Sequence, residues 1–319
     1  MTQEHTTLVI IGGGPAGLAA AREAVRQGLK DVILLEREAE AGGAPRHCGH
    51  LGFGMRDLGR VQTGPHYAEH LRNLTNGLDM RCNHAVTNLG RGSLVEVSGP
   101  QGTYSIAADR VLIATGTYEK SSAARLMPGG RPFGLLTTGA LQRFAYFHGS
   151  IPCRSPIVVG TEIVAYSTIL TLRHFGAKPV AFIDSSRYLR TPLVVALGAR
   201  FIFGVPSFTR TRIVSIDGEE QVTGVTVEGP RGKRTLLCDG IVFSGDWVPE
   251  TTLIRASQLA IDPKTHGPVI DNCFRTQAPR IFAAGNVLRS ARSAGTCALE
   301  GRAAARAILA DLKDNGRKH

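Results

Sequence analysis

Unbroken apolar runs at Leu8–Ile11 and Val32–Leu35 flank an alanine-rich stretch, PAGLAAAREAVRQG. That order predicts a strand buried on both faces, a helix and a second buried strand, because parallel strands covered by helices read as continuous apolar runs. The same order recurs at 155–184, SPIVVGTEIVAYSTILTLRHFGAKPVAFID, as strand, turn, helix and strand. RVLIATGTYE, 110–119, predicts another apolar strand, and 279–309 predicts a strand, a Gly-Asn turn and a helix. RFIFGV, RIVSID and GVTVEG predict further strands. Strands and helices alternate, so the expected fold class is α/β.

The turn after the first strand carries Gly12, Gly14 and Gly17 in GxGxxG spacing. Gly12 suits a tight turn, Gly14 lets a diphosphate approach, and Gly17 lets the helix pack on the strand. The helix N-terminus then receives the negative charge. The second apolar run ends at Glu36, placed as an acid that binds ribose hydroxyls would be. Strand, glycine turn, helix, strand and terminal acid together predict a dinucleotide site.

With 319 residues and an apolar fraction of 43%, the chain can bury two domains, and its 38 glycines suit nucleotide-binding turns. No run approaches the roughly 18 apolar residues of a membrane span. The start, MTQEHTTLVIIGGG, has no basic segment before its apolar run, so a cytoplasmic location is expected. Cys48, Cys82, Cys153, Cys238, Cys273 and Cys297 form no CxxC, which argues against a disulfide framework and against zinc or iron–sulfur ligation; no metal is expected. The net charge is +11, from 37 basic and 26 acidic residues, but the arginines are spread along the chain. An acidic partner protein fits that distribution better than nucleic acid does.

The GxGxxG start, the Ala-Thr-Gly at 114–116 and IFAAGN at 281–286 occur together in flavoproteins with two dinucleotide-binding domains. Along nearly its whole length the chain resembles that FAD-dependent pyridine nucleotide-disulfide oxidoreductase superfamily, to which thioredoxin and glutathione reductases belong. The resemblance implies two Rossmann-like domains, the second inserted into the first: FAD-binding sequence at 1–120 and 246–319, a linker at 121–150 passing near the flavin, and an NAD(P)-binding-like insert at 151–245. It implies FAD as the cofactor, held at the first turn by Gly12, Gly14, Pro15, Ala16 and Gly17. Glu36, Arg37, Gly43, Arg46 and Val86 follow, then Ala114, Thr115 and Gly116. Gly285 and Asn286 would meet the ribityl and phosphate part, with Gly295 and Thr296 near the ring. Asn286 stands where the family usually has aspartate; an amide accepts and donates, so FAD binding should survive.

A finer resemblance lies in GGAPRHCGHLGFGMR, GTYEKSSAARLMPGGRPFGLLTTGALQ and FSGDWVPE. These are similar to the FAD subunits grouped with hydrogen cyanide synthase, opine oxidase and heteromeric dehydrogenases of amino acids such as hydroxyproline, from about residue 8 to 309. That group passes electrons from an amine or amino acid carbon through flavin, often with an iron–sulfur centre, to an acceptor other than NAD. Many relatives continue into a cysteine-rich domain where this sequence reads DLKDNGRKH, so an iron–sulfur protein or second flavoprotein is expected as a separate subunit.

GAPRHCGH, 43–50, sits where the superfamily's disulfide reductases carry two cysteines four residues apart after a Gly-Gly pair. Aligning Gly42-Gly43 with that pair puts Pro45 and His50 at the cysteine positions, with Gly49 retained. Neither forms a disulfide and no second cysteine stands near Cys48 in the sequence, so dithiol chemistry is not expected. His50 is the first catalytic candidate, His47 the second and Cys48 the third, since imidazole moves protons near neutral pH. The alternative is that His50 only lines the flavin. A metal triad of His47, Cys48 and His50 lacks a fourth ligand. His66 and His70, one helical turn apart, read as a solvated helix face.

The internal copy of the turn reads Gly160-Thr161-Glu162-Ile163-Val164-Ala165. Glu162 replaces the glycine that lets a diphosphate approach. At an effective dielectric near 20, like charges about 4 Å apart repel by roughly 4 kcal/mol, or about three decades in affinity. NAD(P)H should bind poorly, and the flavin should be reduced by an organic substrate. The expected function is an FAD-dependent oxidoreductase, one subunit of a heteromeric amine or amino acid dehydrogenase. The alternatives are an NAD(P)H-dependent flavin reductase and a non-catalytic nucleotide-binding subunit.

Overall fold

The computed structural model describes residues 4–289 and 292–316. They form two compact units. One holds the chain through Arg46, Leu51–Tyr118 and the chain from Val248 on; the other holds His47–His50 and Glu119–Trp247.

The first unit opens with β1 (Glu4–Ile11), α1 (Pro15–Arg26) and β2 (Val32–Glu36). It continues through β3 (Leu51–Phe53), α2 (Met55–Leu58), β4 (Gln62–Thr63), α3 (Gly64–Asn73), β5 (Asp79–Cys82), β6 (Ala85–Leu89), β7 (Leu94–Gly99) and β8 (Gly102–Ile113). Strands β5, β2, β1 and β8 lie side by side and parallel. The first half of the long β8 also pairs antiparallel with β7, which carries β6 on its other edge. Alternate residues of the central strands enter different cores. Leu8, Ile10 and Leu34 pack with Leu18, Ala305 and Ile308, whereas Val9, Ile11 and Val111 pack with Val95 and Ile254.

The chain leaves through β9 (Thr117–Glu119) and builds the second unit from β10 (Leu135–Thr137), α4 (Thr138–His148), β11 (Ile157–Val159), α5 (Ile163–His174), β12 (Ala181–Ile183) and α6 (Leu193–Phe203). Strands β13 (Ser207–Phe208), β14 (Arg212–Asp217), β15 (Gly224–Gly229), β16 (Gly232–Leu237) and β17 (Ile241–Phe243) complete it. A parallel sheet runs in the order β10, β17, β11, β12, β13, and β14–β16 form a separate antiparallel sheet. The return passes through β18 (Trp247–Pro249) and α7 (Thr252–Ala256) to β19 (Ile281–Ala283), which pairs parallel with the second half of β8, and to α8 (Ala294–Gly316). The architecture is α/β, with one Rossmann-like unit inserted into another, as the sequence pattern implies.

Two segments differ from their sequence reading. Residues 121–150 hold β10 and α4, whose Leu141 and Ala145 are fully buried, Leu141 within the second unit's core. The Thr137 hydroxyl caps α4 by accepting from Ala140 N, a signal masked by the Pro- and Gly-rich residues before it. RFIFGV is not a strand: its first four residues close α6, and Gly204 follows in the left-handed conformation of a C-terminal cap. A short apolar run does not separate strand from buried helix by periodicity alone. Among the described residues no helix is long and apolar enough to cross a membrane.

Candidate functional site

Parallel strands deliver their turns to one edge of a sheet, where nucleotide sites of this topology lie. At that edge Gly12, at φ +104°, donates to Leu35 O at 2.8 Å, and a Cβ there would stand 2.5 Å from Ala114 O. A Cβ on Gly17 would stand 1.9 Å from Gly12 O. Gly14 differs: its backbone is extended, and no atom lies within 4 Å of where a Cβ would be. No side chain caps α1 there, and Pro15 opens the helix, so the first-turn N–H groups have no helical acceptor. The turn is packed shut beneath and open above Gly14, a cradle that fits a diphosphate.

The other segments meet around it. Glu36 Oε2 accepts from Gly13 N at 2.7 Å and Oε1 from Glu38 N at 2.9 Å, which fixes the carboxylate at the end of β2. His84 N donates to Glu36 O, holding the start of β6, and hence Val86, beside that end. A Cβ on Gly43 would stand 2.9 Å from Gly14 Cα. Arg46 is tied to Glu38 at 3.0 Å and Glu40 at 3.4 Å. Thr115 donates to Glu250 O at 2.9 Å, Gly116 O accepts from Glu250 N, and Arg37 reaches the Glu250 carboxylate at 3.5 Å.

Ala16, Ala114 and Cys297 pack together, bringing α8 to the head of α1, and a Cβ on Gly285 would stand 2.8 Å from that of Ala16. Asn286 spends both ends of its amide on one residue: Oδ1 accepts from Arg292 N at 2.7 Å and Nδ2 donates to Arg292 O at 3.2 Å. An ionised aspartate makes only the first of these bonds, so the amide has a conformational reason to be here. Gly295 lies against Asp57, and the Thr296 hydroxyl accepts from Arg56 at 2.7 Å. The residues expected to hold FAD therefore all lie in one unit, and the fit to the diphosphate end rests on the open space above Gly14.

His47, Cys48, Gly49 and His50 pack instead with the second unit. The His47 ring meets the edge of Phe147 at 5.2 Å and is buried; His50 is half-buried. Cys48 Sγ lies 3.5 Å from Gln142 Oε1, and the Gln142 amide donates to Ser167 at 3.1 Å. Burial, with the Glu119 carboxyl second, pushes the Cys48 thiol up to about 12. Among the described residues none of the six cysteines is in a disulfide, and no group of three His, Cys, Asp or Glu side chains is arranged to hold a metal.

Nothing in the spacing of the sequence marks Glu119. It is buried; Oε2 accepts from Gly139 N at 2.7 Å at the head of α4, and Oε1 has no hydrogen-bond partner among the described residues. Burial raises its pKa to about 7 against the opposing bonds from Gly139 and Thr137 and the charge of Arg125, with Glu162 adding to the rise. A carboxyl at 4.5 unfolded and about 7 folded binds more protons in the folded state between those values, so stability is lost as pH rises through that window, by roughly 3 kcal/mol in full. Glu119→Gln keeps an acceptor for Gly139 and removes the charge. Urea unfolding should show it more stable than the parent at pH 8 and equal at pH 4.5; a parent whose stability is flat across that range would contradict the assignment.

The second turn is built differently. Thr161 is buried and donates to Asp184 Oδ2 at 2.6 Å, and Ser186 N donates to Asp184 Oδ1 at 2.9 Å. Burial works to raise the Asp184 pKa, yet the bonds from Ser186 and Thr161 together hold it below the usual carboxylate range. Glu162 stands at the N-cap of α5 without capping it. Its carboxylate lies over the turn: a Cβ on Gly160 would be 2.8 Å from Oε2, and one on Gly245 would be 3.2 Å from Oε1. Oε1 is buried without a hydrogen-bond partner among the described residues. An acidic side chain thus lies where the first turn is open.

The model of the pyridine nucleotide-disulphide oxidoreductase family matches residues 6–301. The chain belongs to this family. Members of this kind are FAD-dependent oxidoreductases. The alpha chain of sarcosine oxidase from Corynebacterium sp. (strain P-1) is 28% identical over 86% of this chain and 30% of its own length. Opine oxidase of Rhizobium meliloti matches through its A subunit, 26% identical over 97% of this chain and 64% of that one. The chain therefore spans less than two thirds of these curated relatives. Thioredoxin reductase of T. acidophilum shares the fold, with a TM-score of 0.77 at 21% identity, covering 98% of this chain and 100% of that one.

Proposed function

We propose that the chain binds FAD and oxidises a small amine or amino acid as one subunit of a heteromeric dehydrogenase, passing the electrons to an acceptor other than NAD(P). The observation that carries this reading is the contrast between the two turns: open space above Gly14, and the Glu162 carboxylate over the turn that nicotinamide coenzymes would need. The similarity to proteins named as subunits of sarcosine and opine oxidases supports an amine substrate and companion chains, an iron–sulfur protein or a second flavoprotein among them.

Gly12, Gly14 and the head of α1 would hold the diphosphate, Glu36 the adenosine ribose, and Gly285 with Asn286 the ribityl end. Bound FAD would supply two-electron chemistry, accepting hydride from the carbon that bears the substrate nitrogen. His50, or failing that His47, would take the proton released from that nitrogen. Disulfide reduction is a poor match: Pro45 and His50 replace the cysteine pair, and the thiol of Cys48 is held un-ionised by burial.

The purified chain should show flavin absorption, and under argon the band should bleach with an amine or amino acid but only slowly with NADH or NADPH. Rapid bleaching by either coenzyme would overturn the choice of electron donor. Inertness to every amine until companion subunits are added would identify a non-catalytic nucleotide-binding subunit instead.

A further inference from the structure

Helix α6, LVVALGARFIF, carries no polar side chain but Arg200. Such a helix is normally buried on every side. Here only one side is. At 100° per residue, Ala196, Ala199 and the half-buried Phe203 share the arc that faces the second unit's core. The opposite half-turn carries Leu193, Val194, Leu197, Phe201 and Ile202, which are 42–76% exposed and uninterrupted by a charge. Lone exposed apolar residues are ordinary; a contiguous set rimmed by polar groups marks an interaction surface.

The segment that carries α6 is basic, although Arg190 is paired with Asp184 and Arg212 with Glu228. From Ser185 to Ile216 the chain carries five arginines, Arg187, Arg190, Arg200, Arg210 and Arg212, and no acidic residue. At the C-terminal end of α6, Arg154, Arg173 and Lys178 line a hollow of about 560 Å³ whose apolar wall is Phe203, with the Arg173 guanidinium 5.0 Å over its ring. A second copy of this chain, itself at +11, would set arginine against arginine. A partner with an apolar face and carboxylates at its edge satisfies both parts of the surface.

We propose that the exposed face of α6, with the cationic hollow at the helix's C-terminal end, docks an acidic protein partner that places a carboxylate side chain among Arg154, Arg173 and Lys178. The proposal rests on the heteromeric reading above and names the surface that reading requires. Its failure is separable, because no α6 side chain is among the residues assigned to FAD or the catalytic candidates, and their replacement should leave flavin content unchanged.

A photo-crosslinking amino acid at position 197, in tagged chain expressed in its own cells, tests this. The expected result is a crosslink to one protein, identified by mass spectrometry as acidic, that falls at least tenfold when Phe201 and Ile202 are both changed to Ser. It should fall comparably with Arg154→Glu, a hollow substitution that leaves α6 intact, while circular dichroism and flavin content stay at parent values. Three results overturn the proposal: no protein crosslink; crosslinking of the chain to itself, with a Phe201-dependent dimer in sedimentation; or Phe201-dependent co-sedimentation with phosphatidylglycerol vesicles, which makes the face a membrane contact. A purified chain that lacks flavin but keeps the crosslink would sink the oxidoreductase reading and leave the docking surface standing.

Discussion

A Gly14→Glu variant should fold like the parent and purify without flavin. Its backbone, φ −76° and ψ −175°, is open to any L residue, and nothing lies within 4 Å of the new Cβ. The variant therefore adds a carboxylate over the head of α1 without a steric conflict in the protein. A carboxylate about 4 Å from a diphosphate costs roughly 4 kcal/mol at an effective dielectric near 20, or about a thousandfold in affinity. Gly17→Ala is a poorer probe, because its Cβ would strike Gly12 O and lost flavin could mean only a lost fold. The measurements are the flavin-to-protein ratio, far-ultraviolet circular dichroism and urea unfolding in the presence of excess FAD. Full flavin content in Gly14→Glu would remove the first turn from the cofactor site.

The parallel core is readable because its strands are buried on both faces: Leu8–Ile11 and Val32–Leu35 are apolar at every position, and the glycine spacing between them reflects packing so close that a Cβ on Gly17 would strike Gly12 O. Residues whose role depends on distant neighbours are not. Glu119 is buried by α4, a helix whose sequence follows a run of prolines and glycines, so neither its burial nor its bond to Gly139 shows in local pattern. Asn286 reads in the sequence only as a substitute for the family's aspartate, and its bonds to both backbone groups of Arg292 depend on how the turn folds back. His47–His50 were placed from sequence by analogy with a cysteine pair, and their packing on α4 through Phe147 and Gln142 has no counterpart in that analogy. Helix α6 misled for the reverse reason: apolar residues on both of its sides imitate a buried strand, although half of them face outward.

Glu162→Gly is the converse of Gly14→Glu, and NADH should bind the variant two to three decades more tightly than the parent. Removing the side chain opens the space between Gly160 and Gly245 and frees the head of α5 for phosphate oxygens. The gain should stop short of a native coenzyme site, because Asp184, the acid that would meet the ribose, already accepts from Thr161 and Ser186. Glu162→Gln separates the two parts of the block: it keeps the bulk and removes the charge, so an intermediate affinity is expected if repulsion and crowding both act. Fluorescence titration with NADH gives all three dissociation constants, and anaerobic mixing shows whether bound NADH then reduces flavin. Equal, weak binding by parent and Glu162→Gly would mean that the carboxylate is not the obstacle, and the Thr161–Asp184 bond would become the reason the second unit refuses the coenzyme.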